Sequence, residues 1–318
     1  MAGTKNRVVI LGVFVADTAY RATRQPKMGE TILGESFALG PGGKGSNQAV
    51  ASAMAAGGSQ RTGSVETHFI TKLGQDPFAD MALDTWQRAG VVPAVTQHSD
   101  SYTGAAYIFL EAATGNNAII VAPGVARSIS PADMEARADL IGGASVFVTQ
   151  LEQPMDAAVR ALEIAKKGGA RTVLNPAPAD TLPDGMLAMC DFVTPNESET
   201  EALVGRPVIT VDDAREASKL LRAQGVGAAL ITLGEQGVLY DDGTVSEHVP
   251  AFNAGPVVET TGAGDAFNGG FATALAEGAG PLTAARFGCA TASISVTRAG
   301  TAPAMPTRSE IDALLASA

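Results

Sequence analysis

Asp265 stands inside the stretch TTGAGDAFNGGF, residues 260–271, with Gly262, Ala263 and Gly264 before it and an apolar, helix-like run after it. A glycine-rich turn that opens a helix presents unpaired backbone N–H groups, and such groups attract an anion. Asp265 is itself an anion. One reading is that it caps the helix, where a carboxylate contributes about 0.3–1 kcal/mol against the helix dipole. The other reading places a ligand between the acid and the N–H groups. Gly262, Ala263 and Gly264 then stabilise the oxygens of a transferring phosphoryl group, while Asp265 takes the proton from an attacking hydroxyl. A positioned general base of this kind contributes about 10²–10⁴-fold.

A second glycine-rich stretch, GPGGKGSNQAV, covers residues 40–50. Gly40, Gly42 and Gly45 match G-x-G-x-x-G in form, but a dinucleotide-binding fold places that pattern after its first strand. The bland reading is a turn that starts a helix. In the functional reading the glycines let a polar ligand approach the backbone, and Lys44 and Asn47 bond its hydroxyls. In TPNESE (194–199), Asn196 and Glu199 have capping-box spacing, and the alternative is a role in a Mg²⁺–phosphate water network. ITLGEQG (231–237) ends a strand in Thr-x-Gly-x-x-Gly, which can offer Thr232 and its neighbours to a nucleotide.

These residues need a frame. The chain has 318 residues, 46% of them hydrophobic, enough for a large core. The net charge of −11 argues against wholesale nucleic-acid binding, though not against a local cationic pocket. Only Cys190 and Cys289 occur, at no metal-like spacing, so a reducing cytoplasm fits and a disulfide framework does not. The N-terminal MAGTKNRVVILGVFVADT mimics a leader weakly, and a buried first strand is preferred. No run reaches the length of a membrane helix.

Apolar runs at 7–15, 67–74, 144–150, 171–177, 191–196 and 228–234 read as buried strands. Between them, 45–57, 76–90, 154–169 and 211–225 carry helical periodicity, and most end in Gly. The alternation predicts an α/β fold on a largely parallel sheet. Segments 13–40 and 100–122 lack that periodicity and read as a small strand-built lid. No boundary between independent domains is visible, so 1–318 reads as one unit.

Taken together, and in this order, the motifs resemble the ribokinase family of carbohydrate kinases, the PfkB-type sugar and nucleoside kinases. GGKGSNQAVA and TTGAGDAFNGGF resemble the two family signatures. QLEQP (150–154), LNPAPA (174–179), TPNESE, ITLGEQG and SVTRAGTAPAMP (295–306) extend the likeness to nearly the whole chain. The resemblance implies a ribokinase-like three-layer α/β/α domain with a small β-sheet lid, and ATP-dependent phosphorylation of a pentose 5-hydroxyl, D-ribose first. Asp265 corresponds to the base and residues 262–264 to the anion hole. Asp17, Gly43, Lys44, Asn47 and Glu152 fall at sugar-contacting positions. Asn196, Thr232, Gly234, Glu235, Gln236, Gly237 and Gly264 fall at ATP positions, and Glu199 in the Mg²⁺/phosphate motif. Glu259, Thr261, Ser295, Arg298, Gly300 and Ala304 fall where the family binds an activating K⁺. A homodimer through the lid is implied as well.

Three positions depart from the pattern. Val15 replaces the usual Asn of the sugar site, and valine makes no hydrogen bond. A sugar lacking one hydroxyl, such as 2-deoxyribose, is therefore an alternative substrate, and a nucleoside is another. Glu259 stands where Asp is usual, and Ala304 where serine is common. From a different class, a non-catalytic sugar- or nucleotide-binding protein is opposed by the retention of Asp265, Lys44 and the glycine turn.

Overall fold

The structure, a computed structural model, describes residues 6–60 and 65–317. The first five residues of the leader-like stretch lie outside them. In chain order the first half carries β1 (Asn6–Leu11), β2 (Val15–Ala22), β3 (Ser36–Gly42), α1 (Lys44–Ala55), β4 (Val65–Gly74), α2 (Pro77–Ala89), β5 (Val92–His98), β6 (Thr103–Glu111) and β7 (Asn117–Gly124). There follow α3 (Pro131–Glu135), α4 (Ala138–Gly142), β8 (Val146–Thr149), α5 (Met155–Gly168), β9 (Arg171–Leu174), β10 (Phe192–Val193), α6 (Glu197–Val204) and α7 (Val211–Ala223). The chain closes with β11 (Ala228–Thr232), β12 (Val238–Asp241), β13 (Ser246–Val249), α8 (Ala263–Ala276), α9 (Pro281–Ser295) and α10 (Arg308–Ala316).

The helices start and stop where side-chain chemistry dictates. Asp76 caps α2 by accepting the Ala79 N–H at 2.9 Å, Pro77 occupies the first turn, and Gly90 ends the helix at φ 84°. Ala79, Ala82, Trp86 and Ala89 form its buried stripe at three- and four-residue spacing. α5 ends the same way at Gly169, φ 85°.

The main sheet has the order β13-β12-β11-β10-β9-β8-β1-β4-β5. Its pairings are parallel except for β11–β12 and β12–β13 at one edge. Alternation along β1 sends Val8 and Ile10 into a core with α1, α2, α8, α9 and α10, and Val9 and Leu11 into a second core with α3, α4, α5 and α7. These are the three layers expected. One expectation fails: the run 7–15 is not a single strand. β1 stops at Leu11, Gly12 to Phe14 turn, and β2 joins a different sheet. Periodicity cannot show this break, because both sides of it are buried and apolar.

The second sheet, β3-β2-β6-β7, is the lid. Asp17 pairs with Gly40 and Ala106, and alternation puts it on one face. Tyr20, Phe37, Leu39, Tyr107 and Ile120 share the other face, with Tyr20 packed against Phe37 and Tyr107 at ring separations of 5.1 and 5.5 Å.

Candidate active site

The strand order reverses between β1 and β8, and in such sheets the crevice at the carboxyl ends of the strands is where ligands bind. Gln150, Asn175, Thr194 and Thr232 stand at that end, at or just after the last residues of β8, β9, β10 and β11. α1 enters there. A Cβ on Gly12 would lie 2.7 Å from the Gly45 Cα, so only glycine at both positions lets the β1 turn meet the helix start. Gly43 has φ 88°, and a Cβ on it would meet the Val13 carbonyl oxygen at 2.5 Å. A Cβ on Gly42 would strike the Asp17 carboxylate at 2.2 Å. Gly40 faces open space, so the first glycine of this motif has no steric reason in the fold.

Asp265 lies in the first turn of α8, 7% exposed. Asn47 Nδ2 donates to its Oδ2 at 3.1 Å, and Gln48 Nε2 donates to its Oδ1 at 3.0 Å. Burial pushes its carboxyl above the usual range, while Lys44, Gln48 and Asn47 pull the other way. Glu152 accepts the Lys44 backbone N–H at 2.8 Å. Burial holds the Glu152 carboxyl up at about 7, opposed by Lys44 and reinforced by Asp265 and Asp17. Asp17 is pushed up to about 6 by burial alone. The structure thus brings Asp17, Gly43, Lys44, Asn47, Glu152 and Asp265 together from four separate stretches of chain. The Asn47 Oδ1 is buried and has no partner among the described residues, an acceptor suited to a ligand hydroxyl.

Gly262, at φ 82°, caps α8. The Ala263 N–H closes a turn onto the Thr260 carbonyl at 3.2 Å, so its share in an anion site is reduced. The Gly264 and Asp265 amides take no backbone acceptor among the described residues, as expected in a first helical turn. A Cβ on Gly264 would meet nothing within 4 Å, which marks open space over this helix start.

Asn196 and Glu199 form the capping box of α6: the Glu199 N–H reaches Asn196 Oδ1 at 2.8 Å, and the Asn196 N–H reaches Glu199 Oε2 at 2.9 Å. Glu199 is nonetheless electrostatically part of the site. Burial raises its pKa, its bond to Asn196 and Lys44 lower it, and Asp265 raises it further. Thr232 ends β11 and its N–H bonds the Pro195 carbonyl at 2.9 Å, which sets the 232–237 loop beside Asn196. Gly234 and Gly237 in that loop have φ 53° and 100°, while Glu235 and Gln236 face solvent.

Glu259 Oε2 accepts the Gly300 N–H at 2.7 Å, which ties the segment before α8 to the 295–304 loop. Thr301 Oγ1 donates to the Pro41 carbonyl at 3.0 Å, tying the same loop to the end of the lid. Thr261 is exposed, Ser295 bonds the Ala292 carbonyl, Arg298 pairs with Glu310, and Ala304 is buried. Among the described residues no three His, Cys, Asp or Glu side chains cluster as metal ligands. A cation here would rest on backbone carbonyls, and Mg²⁺ on nucleotide phosphates.

Some participants escape a motif-based reading. Gln48, Gln150, Asn175, Thr194 and Asn268 are buried and bonded behind Asp265. Their signal was a polar residue within or at the end of an apolar run, which must find a partner once buried.

A three-layer sheet with a strand-built clasp over a buried carboxylate is the architecture of the sugar kinases. The sequence matches the pfkB family carbohydrate kinases over residues 5–308, and the chain belongs to that family. It is a phosphotransferase acting on an alcohol group of a sugar. The ribokinase of Haemophilus influenzae is 35% identical over 307 residues, covering 96% of this chain and 97% of that one. The deoxyribokinase of Salmonella typhi is 34% identical, covering 94% and 95%. Arabidopsis thaliana ribokinase, solved with ribose and ATP, superposes with a TM-score of 0.89 at 30% identity, covering 98% of each chain.

Proposed function

We propose that the chain moves the γ-phosphoryl group of ATP onto the 5-hydroxyl of a pentose, with D-ribose as first substrate and D-ribose 5-phosphate as product. One observation carries the proposal: the Asp265 carboxylate is held by Asn47 and Gln48 at the start of α8, beside amides that take no backbone acceptor among the described residues, and it acts together with Lys44 and the lid residue Asp17 on the Glu152 carboxyl. Asp17, Gly43, Lys44, Asn47 and Glu152 bind the sugar hydroxyls. Asp265 removes the proton from the attacking oxygen, and the amides of 262–264 face the transferring group. Asn196 and the 232–237 loop hold the nucleotide. Glu199 orders water around the Mg²⁺ that ATP brings, which neutralises phosphate charge. Backbone carbonyls near Glu259, Thr261, Ser295, Arg298, Gly300 and Ala304 take K⁺. Lid closure excludes water and so suppresses ATP hydrolysis.

The whole chain acts as one kinase unit in the cytoplasm, and the outer lid face forms a homodimer. Tyr20, Phe37, Leu39 and Ile120 on that face are 42%, 57%, 46% and 68% exposed, an apolar patch unusual on a free surface.

A second reading rests on Val15. It is buried at the start of β2, against Gly104, and offers no hydrogen bond where the family usually has Asn. That favours 2-deoxyribose as a competing substrate. The test is kcat/KM for ribose, 2-deoxyribose, other pentoses and nucleosides with Mg-ATP, with and without K⁺. Ribose giving the highest value supports the main reading; a higher value for 2-deoxyribose or a nucleoside replaces it. No turnover of any sugar leaves a binding protein.

A further inference from the structure

Behind Asp265 runs a closed ring of buried hydrogen bonds. Gln48 Nε2 donates at 3.0 Å both to Asp265 Oδ1 and to Asn175 Oδ1. Asn175 Nδ2 donates to the Thr194 carbonyl at 3.1 Å. Thr194 Oγ1 donates to Asn268 Oδ1 at 2.7 Å, and Asn268 Nδ2 donates to the Gly264 carbonyl at 2.8 Å. That carbonyl belongs to the peptide whose N–H is that of Asp265. The ring leaves residues 264–265 through a carboxylate and returns to them through a peptide. Gln150 Nε2 braces it from just after β8, donating to Gln48 Oε1 at 2.6 Å. Every side chain in it is buried, and they come from α1, the ends of β9 and β10, and α8.

Resting on the assignment of Asp265 as base, we propose that Gln48, Asn175, Thr194 and Asn268 are positioning residues that fix the base and the adjacent amide of the anion site as one rigid unit. Two physical effects follow. The Gln48 amide favours the ionised carboxylate and locks its rotamer toward the crevice. The Asn268 amide polarises the Gly264–Asp265 peptide, so its N–H becomes a stronger donor to phosphoryl oxygen. Gln48 touches the base itself, whereas Asn175, Thr194 and Asn268 reach it only through Gln48 or through the Gly264 peptide. Linked this way, base and donor cannot shift independently, which is what transfer between two substrates requires.

The charged groups that the base feels are Lys44 from α1, Glu152 after β8 and Glu199 from α6, with Asp17 of β2 acting through Glu152. All remain in place when Gln48 or Asn268 is changed. The test uses the full chain with Mg-ATP and the best sugar of the panel, comparing Gln48→Met, Asn268→Ala, the pair together, and Asp265→Asn. Gln48→Met is expected to lower kcat by about tenfold or more and move the acidic limb of kcat/KM up by about one pH unit, with sugar KM within about twofold. Asn268→Ala lowers kcat without moving that limb. The double variant loses little more than the worse single variant, because one cut already opens the ring. An unmoved limb in Gln48→Met with additive losses in the double variant overturns the proposal. If Gln48→Met does not fold, Asn175→Leu takes its place, with the same limb shift in smaller measure expected and an unmoved limb overturning the proposal. An inactive Asp265→Asn beside an unmoved limb sinks the ring alone; an active Asp265→Asn sinks the base assignment and the ring together.

Discussion

The Lys44 backbone N–H and the Glu152 carboxylate meet at 2.8 Å although 108 residues separate them. Glu152 thereby sits on the first amide of α1, where a negative charge is favourable, yet burial dominates and holds its carboxyl at about 7. Asp17, near 6, is displaced in the same direction.

A pH dependence of stability follows. Both carboxyls bind protons more tightly in the folded chain than at their ordinary values of 4.5 and 3.8. Their contribution is full below those ordinary values and is lost as pH rises through about 6 and then about 7. Asp76, Asp133 and Glu310 are shifted the opposite way, so their losses come in more acidic solution. The melting temperature of the ligand-free protein is therefore expected to fall between about pH 5 and about pH 8. Glu152→Gln should flatten that fall. A flat profile in the unaltered protein would count against the buried charges.

Gly264→Ala separates stability from catalysis. The new methyl group enters open space and replaces glycine in a helix, a gain of about 0.5–1 kcal/mol. The same space is where the phosphoryl group would lie, so kcat should fall by about a hundredfold while the melting temperature holds or rises. Unchanged kcat would move the phosphoryl site elsewhere.

Val15→Asn restores a hydrogen-bonding group at the start of β2. The ratio of kcat/KM for ribose over 2-deoxyribose is expected to rise by about tenfold, the value of one buried hydrogen bond. A ratio that stays put would show that Val15 does not face the distinguishing hydroxyl.

Tyr20→Asp with Phe37→Lys puts charge into the aromatic pair on the outer lid face. Sedimentation should show the unaltered chain at twice the monomer mass and the variant at the monomer mass. A monomeric unaltered chain rules out the lid dimer.

The layers and the lid were legible because two different periodicities divide the chain. The helices at 76–90, 154–169 and 211–225 lie within two residues of the expected bounds, since Asp76, Thr210, Gly90 and Gly169 punctuate them chemically. The break at Gly12 was not legible, because one apolar run serves two sheets. Nor were β12 and β13, short strands whose antiparallel pairing depends on a turn at Asp242 rather than on a helical crossover. In the site, the two glycine motifs located Asp265, Lys44 and Asn47. They gave no hint that Gly42 yields space to Asp17, or that Ala263 bonds back to Thr260. Asn196 and Glu199 show the limit of spacing: the capping box forms, and burial and Lys44 still make Glu199 respond to the site.

The bond from Gln48 to Asp265 spans 217 residues. On the proposed assignment, the sugar-facing groups Asp17, Lys44 and Asn47 are made well before the acid that uses them. Pairings this distant in sequence form late in folding. A nascent or truncated chain that ends before α8 thus contains every described strand of the sheet and lacks the proposed base. If Asp265 is the base, such products are therefore unable to transfer the phosphoryl group of ATP.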